Sequence, residues 1–340
     1  MTLRTYIIRR VALSLFILWI VATINFAIFR DDPFAFYYLD WPYMDVTTKN
    51  MILQNWDANL LTRYVLYLQK MFSYGLAPPY FGWSKLDQQY IAYRIGQRLP
   101  ITLFLIGTSL IGSIIIGTSL GMFAASKRGT RKDKAITASA LFTWSTPVFV
   151  FQLLAVYVLS YLLIKHGIYI LPLNSVLPST TPTGLGFYLA TVWHLILPII
   201  TLTLVGLGPW VLQTRNMLID TLEQDFIITA RAKGLSEGTV LRKHAFKTIL
   251  PSVSTMITMA VPAVITGSIV TETIFGINGI GNYFCRAFMI EGQIVRVLDY
   301  SVIEAVFFIY ATLAVVLNLI ADLTYAVFDP RIRVGVSTKR

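Results

Sequence analysis

Long apolar stretches with few or no charges alternate along this chain with short segments rich in charge. Each stretch reaches or exceeds the ~20 residues that a helix needs to cross a hydrocarbon core of about 30 Å, the first only just. The pattern predicts six membrane-spanning helices, at residues 11–29, 99–126, 135–164, about 188–214, 248–271 and 300–328. The expected fold class is therefore an all-α polytopic membrane protein.

The composition supports the same fold class. Hydrophobic residues make up 56% of the chain, charged residues make up 13%, and the mean hydropathy is +0.65. Soluble globular domains carry roughly 25% charged residues. An ordinary soluble domain is therefore excluded.

Most of the 28 Lys and Arg residues lie in four short clusters, near Arg9 and at residues 127–134, 215–247 and 331–340. Because translocation disfavours Lys and Arg, such clusters collect in cytoplasmic loops. We therefore expect a multi-pass protein of the cell membrane with both termini in the cytoplasm. Short clusters beside membrane spans do not form the continuous basic surface that binds nucleic acid, so the net charge of +11 does not indicate that partner.

The same pattern divides the chain into four regions. Residues 1–30 hold the N-terminal cytoplasmic end and the first span, and residues 31–98 form an external segment. Residues 99–328 form a core with the other five spans and a cytoplasmic loop at 215–248, and residues 329–340 form a cytoplasmic tail.

Two local patterns add detail to these regions. In the external segment, the apolar spacing between Leu60 and Phe72 is that of one helical face, carried by Leu61, Tyr64, Val65 and Leu68. In the third predicted span, Pro147 should bend or loosen the helix.

The residues that catalysis or metal binding would need are scarce. Cys285 is the single cysteine, and the three histidines show no metal-ligand spacing. The chain contains no Gly-Lys dipeptide and hence no phosphate loop of the Walker A type. We expect no catalytic residue, no metal and no cofactor bound by this chain, so any ATP hydrolysis would take place on another subunit.

The polar segment at 215–248 carries the most informative motif. It contains the run Glu-Gln-Asp-Phe-Ile-Ile-Thr-Ala-Arg-Ala-Lys-Gly-Leu at 223–235, and the run His-Ala-Phe-Lys-Thr-Ile-Leu-Pro follows at 244–251. A segment this polar between two membrane spans must lie outside the lipid, where it touches water or a partner protein. The motif therefore predicts a docking element.

This motif resembles the EAA-type coupling loop in the membrane subunits of ABC importers, in the form found in the dipeptide/oligopeptide permease family. Further resemblance lies in Arg-Leu-Pro-x-Thr-Leu at 98–103 and Asp-Pro-Arg-Ile-Arg at 329–333, so it covers nearly the whole chain. The resemblance implies the type I importer permease fold. The residues that it assigns to ATPase coupling are Glu223, Asp225, Thr229, Ala230, Arg231, Ala232, Lys233, Gly234, Leu235, His244 and Pro251.

In the resembled family, a short helix in this loop enters a cleft on the ATPase subunit. We expect the docking side to carry the small residues Ala230, Ala232 and Gly234, of which Ala230 and Gly234 are four residues apart and would share one helical face. Gly234 also suits the end of the helix, where a left-handed backbone is required.

Few ionisable groups lie inside the predicted spans, namely Glu272, Glu304 and Asp322. Carriers coupled to protons or sodium usually bury several such groups as relays, so the sequence disfavours an ion-coupled secondary transporter. Glu272 resembles a family residue and is a candidate pore or gate residue, with helix-end hydrogen bonding as the alternative. Asp322 is expected to be a structural acid.

The resemblance implies a permease subunit that forms half of a translocation pore for dipeptides or oligopeptides. The implied partners are a second homologous permease, two ABC ATPase subunits that bind ATP and Mg²⁺, an extracytoplasmic substrate-binding protein and membrane lipid. Importers of oligosaccharides share the same architecture and remain an alternative, because selectivity resides largely in the binding protein.

Overall fold

The fold is that of a computed structural model, which describes residues 3–29, 59–72, 87–168, 185–288 and 299–328, together with Phe81, Trp83, Ser84 and Pro172. The predicted tail at 329–340 and most of the predicted external segment lie outside the described residues. The described chain is almost entirely helical, with one two-stranded antiparallel hairpin that pairs Trp83 with Tyr90.

The helices and strands follow one another in a simple order. They are α1 (Leu3–Phe29), α2 (Leu60–Phe72), β1 (Trp83–Ser84), β2 (Gln89–Tyr90), α3 (Ile91–Ser126), α4 (Arg131–Ser145), α5 (Val148–Lys165), α6 (Leu185–Leu222), α7 (Asp225–Ala232), α8 (Glu237–Thr239), α9 (Phe246–Phe275), α10 (Ile280–Phe288) and α11 (Tyr300–Phe328). A wide helical turn of the π type, Tyr157–Leu162, lies within α5, and another, Val240–Ala245, joins α8 to α9.

Five of these helices are long and apolar enough to cross a membrane, and a sixth crossing results if the broken pair Val264–Phe275 and Ile280–Phe288 forms one span. The five lie at Thr5–Phe29, Ile91–Ser126, Val148–Lys165, Leu189–Leu222 and Tyr300–Ile320. The helical, multi-pass fold class expected from the sequence is confirmed.

The third span differs from its prediction at 135–164. Helix α4 ends at Ser145, Thr146 is extended with ψ 126°, and the candidate span begins at Val148. Proline disfavours helical geometry at the residue before it and has no N–H to donate, so Pro147 separates α4 from α5. The proline does more than bend one span, because it divides the predicted segment into two helices.

Two other boundaries also move. Helix α3 starts at Ile91 rather than at residue 99, because Ile91 and Ile95 are buried. Helix α6 continues through Leu222, so the segment predicted to be a loop from residue 215 begins with two further helical turns. Leu218 and Thr221 are buried on those turns, and their burial extends the helix past the polar residues.

The chain forms two compact units. Among the described residues, those within 103–277 and the short terminal pieces 1–3 and 320–340 form unit A, and those within 4–102 and 278–319 form unit B. In unit B, α2 lies against α1, where the Thr23 and Tyr64 hydroxyls are 2.7 Å apart. The helix predicted between Leu60 and Phe72 is therefore confirmed. Leu61 on its predicted apolar face is exposed.

In unit A, α4 packs along α6 through small side chains and aliphatic contacts. Ala140, Leu207 and Val211 are buried together there. A second core lies where α6, α7 and α9 meet, and it includes Leu218, Ile227, Ala230, Val240, Ala245 and Ile249. This second core holds the segment on which the sequence places the docking element.

Candidate functional site

The predicted docking helix is present as α7, which begins at Asp225 and ends at Ala232. Gln224 before it is extended, with φ −79° and ψ 149°. At its other end Gly234 has φ +76°, and its N–H donates to the Arg231 carbonyl at 2.9 Å. Both the helix and the left-handed glycine that ends it agree with the sequence prediction.

The face of α7 that turns inward carries Ile227 and Ala230. Ile227 is fully buried, and Ala230 is 6% exposed in the core with Leu218, Val240 and Ala245. The expectation that Ala230 shares a docking face with Gly234 is therefore wrong. Ala230 is small because helix α7 packs closely on its own chain, and Gly234 lies past the last helical residue rather than on the same face.

The outward face of α7 is apolar in several places. Ile228 is 58% exposed, and Phe226 and Leu235 are also exposed. Five further coupling-motif residues are exposed as well, namely Asp225, Thr229, Ala232, Lys233 and Gly234. Exposed apolar side chains on a short amphipathic segment outside the membrane spans are typical of a surface that binds another protein.

Arg231 holds this segment together. Its Nε donates to Glu237 Oε1 at 2.8 Å and its Nη2 donates to Oε2 at 3.3 Å. This two-point ion pair joins α7 to α8 across the turn at Gly234. Both side chains are exposed, so the pair contributes little stability, but it orients the two short helices.

The remaining coupling-motif residues lie at the edges of the segment. Glu223 forms an ion pair with Arg128 of the neighbouring loop, and both side chains are exposed. His244 lies in the turn before α9, where its carbonyl accepts a hydrogen bond from the Thr248 hydroxyl at 3.0 Å. Pro251 lies inside α9, near its start. The role of the eleven residues in ATPase coupling stays a prediction.

A buried ion pair that the sequence reasoning missed lies beside this segment. Arg215 Nε donates to Asp133 Oδ1 at 2.5 Å, and Nη2 donates to Oδ2 at 2.7 Å. The Asp133 side chain is 3% exposed and that of Arg215 is 21% exposed. The hydrogen bonds from Arg215 lower the pKa of Asp133 to about 2, against the opposing effect of burial. Asp133 is the only acid in the basic cluster at 127–134, which was the available signal.

An open cleft of about 1010 Å³ lies between the ends of α3 and α6 and the segment 231–246. Its walls are apolar at Met122, Phe123 and Ile219. Its rim is charged, and it includes Arg128 and Glu223 as well as Arg231 and Glu237, which are the two exposed ion pairs described above. The cleft thus belongs to the same region as α7.

Glu272 lies near the end of α9 and is fully buried. Its carbonyl accepts a hydrogen bond from the Ile277 N–H at 2.8 Å, and the Gly276 N–H also bonds to it where the helix ends. The hydroxyl of the preceding residue, Thr271, accepts a hydrogen bond from the Gln152 amide at 2.6 Å. A gate role for Glu272 stays a prediction. The Asp322 side chain lies outside the described residues.

Within the described residues, no three His, Cys, Asp or Glu side chains come close enough together to hold a metal ion.

The comparisons with known proteins concern most of the chain. Residues 117–334 match the family described as "Binding-protein-dependent transport system inner membrane component". The oligopeptide transport system permease protein AppB of Bacillus subtilis is 33% identical over 331 residues, which are 96% of this chain and 98% of that protein. The oligopeptide transport system permease protein OppB of Haemophilus influenzae is 27% identical over 329 residues, with 96% and 99% covered. The dipeptide transport system permease protein DppB of Bacillus subtilis is 26% identical, with 96% and 97% covered.

Proposed function

The chain belongs to the family of binding-protein-dependent transport system inner membrane components, and from this membership we propose that it is one of two permease subunits of a peptide importer driven by ATP. It is a multi-pass membrane protein and a transport subunit. In the proposed assembly it pairs with a second, homologous permease, two ATPase subunits and an extracytoplasmic binding protein. ATP and Mg²⁺ bind on the ATPase subunits, and this chain itself holds no cofactor.

The proposed substrate class is dipeptides and oligopeptides. The similar proteins along nearly the full length of the chain carry names for oligopeptide and dipeptide transport. None of the relatives reported above is named for sugars, so they favour peptides over oligosaccharides.

The exposed apolar face of α7 is the observation that carries the coupling half of this proposal. Ile228 and Phe226 lie on a short helix between the candidate span α6 and helix α9, where the motif residues are concentrated. A partner that covers these side chains gains hydrophobic burial. In the proposed orientation, with both termini in the cytoplasm, this face meets the ATPase. A shift of α7 on ATP binding then moves the attached spans and alternates access to the pore.

Reconstituted uptake tests the proposal. The complete assembly is placed in liposomes with the binding protein outside and ATP inside, and uptake of a labelled tripeptide is measured with and without a protonophore. We expect uptake that requires ATP and the binding protein and that continues after the proton gradient collapses. Loss of uptake on collapse at constant ATP would instead identify an ion-coupled carrier, and uptake of a labelled oligosaccharide alone would overturn the peptide assignment.

A further inference from the structure

The ion pair between Asp133 and Arg215 links the segment that carries α7 to the helix break at Pro147. Arg215 lies on α6 two turns before that helix ends at Leu222, and α7 begins three residues later. Asp133 lies in the first turn of α4, whose other end is the break at Thr146 and Pro147. The two partners therefore join the motif segment, through helix α4, to the break that precedes the candidate span α5.

The contacts between α4 and α6 away from this pair are apolar. Ala140, Leu207 and Val211 are buried together, and Gly208 lets the backbones approach closely. These packing contacts hold the two helices close together, but they carry no directional polar contact. A guanidinium that donates two parallel hydrogen bonds to a carboxylate has a defined geometry and so fixes that position at one point.

Asp133 is itself held on its other side. The Gly129 N–H donates to Oδ2 at 2.9 Å, and the Thr137 hydroxyl donates to Oδ1 at 3.4 Å. Gly129 has φ +78°, and the Thr130 hydroxyl accepts a hydrogen bond from the Asp133 N–H at 3.4 Å as the cap of α4. The carboxylate therefore ties α6 both to α4 and to the turn that precedes it.

The other link between this turn and the motif segment is much weaker. Arg128 and Glu223 are more than half exposed, and water and salt screen such a pair. The buried pair keeps its strength, because the Arg215 side chain covers a carboxylate that is nearly inaccessible to water. Of the two ion pairs, the buried one is therefore the firmer link between the turn and α6.

We propose that Asp133 and Arg215 are positioning residues for transport. Their ion pair makes α4 follow α6 when the docking helix α7 moves. The displacement between α4 and α5 is then taken up at the break between them, at Thr146 and Pro147. The inference rests on the proposed function, since it assumes that an ATPase moves α7. Helix α5 is in turn joined to α9 by the hydrogen bond from Gln152 to Thr271. The break therefore separates α4, which follows α6, from α5, which is joined to α9.

The test compares Asp133→Asn and Arg215→Lys with two controls in the complete reconstituted assembly. Asn keeps the shape of the side chain without its charge, and Lys keeps the charge of Arg without its planar fork. Asp220→Asn removes an exposed acid from α6, and Lys132→Gln removes an exposed base beside Asp133. The measurements are co-purification of the subunits, thermal unfolding, ATPase rate with peptide-loaded binding protein, and peptides imported per ATP hydrolysed.

We expect the Asp133→Asn assembly to form and to hydrolyse ATP, but to import at least tenfold fewer peptides per ATP than the unsubstituted assembly. The ratio for Arg215→Lys should lie between these two values. Both controls should match the unsubstituted assembly. An unchanged ratio of peptides to ATP in assembled Asp133→Asn overturns the inference. So does a parallel loss of ATPase activity and import, because that result indicates a purely structural pair. If Asp133→Asn does not assemble, Arg215→Lys decides by the same ratio. Failure of the proposed function is separate, since the unsubstituted assembly would then import no peptide at all.

Discussion

Gly208 of α6 lies against Trp144 of α4, so closely that a side chain at position 208 would collide with the tryptophan Cβ and come within 2.7 Å of the Ala140 carbonyl oxygen. The glycine thus sets the separation of the two helices. It lies on the same interface that the Asp133–Arg215 pair fixes at the other end of α4.

Replacing Gly208 with Ala should therefore destabilise unit A. The added methyl group meets backbone and Cβ atoms that cannot rotate away, and overpacking of this kind costs about 1–3 kcal/mol. The midpoint of thermal unfolding in detergent or nanodiscs measures the effect. Gly107→Ala is the matched control, because a Cβ there has no atom within 4 Å and alanine favours a helix more than glycine does, so this variant should not lower the midpoint. Equal midpoints for the two variants would show that the helices can separate freely.

The exposed Ile228 should contribute to docking without contributing to stability. Ile228→Asp places a charge in a surface that the ATPase would have to desolvate, and we expect the affinity for the ATPase subunits to fall at least tenfold, or about 1.4 kcal/mol. Binding of the purified ATPase to the permease pair in nanodiscs measures it. Ile228→Leu keeps the apolar surface and should bind normally. An unaltered affinity in Ile228→Asp would place the docking surface elsewhere.

Ala230 should behave in the opposite way. Because its Cβ is buried among Leu218, Val240 and Ala245, Ala230→Leu should overpack the core under α7 and lower the free energy of unfolding by about 1–3 kcal/mol. Ala232→Leu, at an exposed position on the same helix, should not change stability. Thermal unfolding of the two variants distinguishes these outcomes. A stable Ala230→Leu variant that fails only to bind ATPase would restore Ala230 to the docking face.

The Asp133–Arg215 pair should make stability depend on pH in the acid range. The pKa of Asp133 is lowered from 3.8 to about 2, so the folded protein gains stability from its charge above pH 3.8 and loses that gain as the pH falls towards 2. Unfolding midpoints of the unsubstituted protein and Asp133→Asn, measured at pH 7 and at pH 3, test this. The difference between the two proteins should shrink at pH 3, and a constant difference would contradict the prediction.

The sequence predicted what depends on neighbours along the chain. The helix that ends at Gly234 follows from local pattern, because a left-handed backbone after a short amphipathic run strongly favours glycine. Helical spacing also predicted α2. The predictions that were wrong concern features that depend on packing between residues far apart in the chain. Ala230 was assigned to the wrong face because its burial comes from Val240 and Ala245, whose turn could not be placed from periodicity.

The same distinction explains the buried pair and the third span. Asp133 and Arg215 are far apart in the chain, and the sequence around either residue alone does not indicate that they form an ion pair. Pro147 was recognised as a disruption, but whether a proline bends a helix or divides it depends on what the flanking segments pack against. Helix α4 packs along α6, and this tertiary contact stabilises it as a separate helix.

Ile227 and Ala230, on the inward face of α7, are buried in the core of the subunit, and this burial affects how the complete transporter assembles. Since the subunit's own core holds this helix in shape, little conformational entropy is lost when a partner covers its outer face. The permease can therefore present a finished contact surface as soon as it has folded, and repeated detachment and rebinding during the transport cycle would not require the helix to refold.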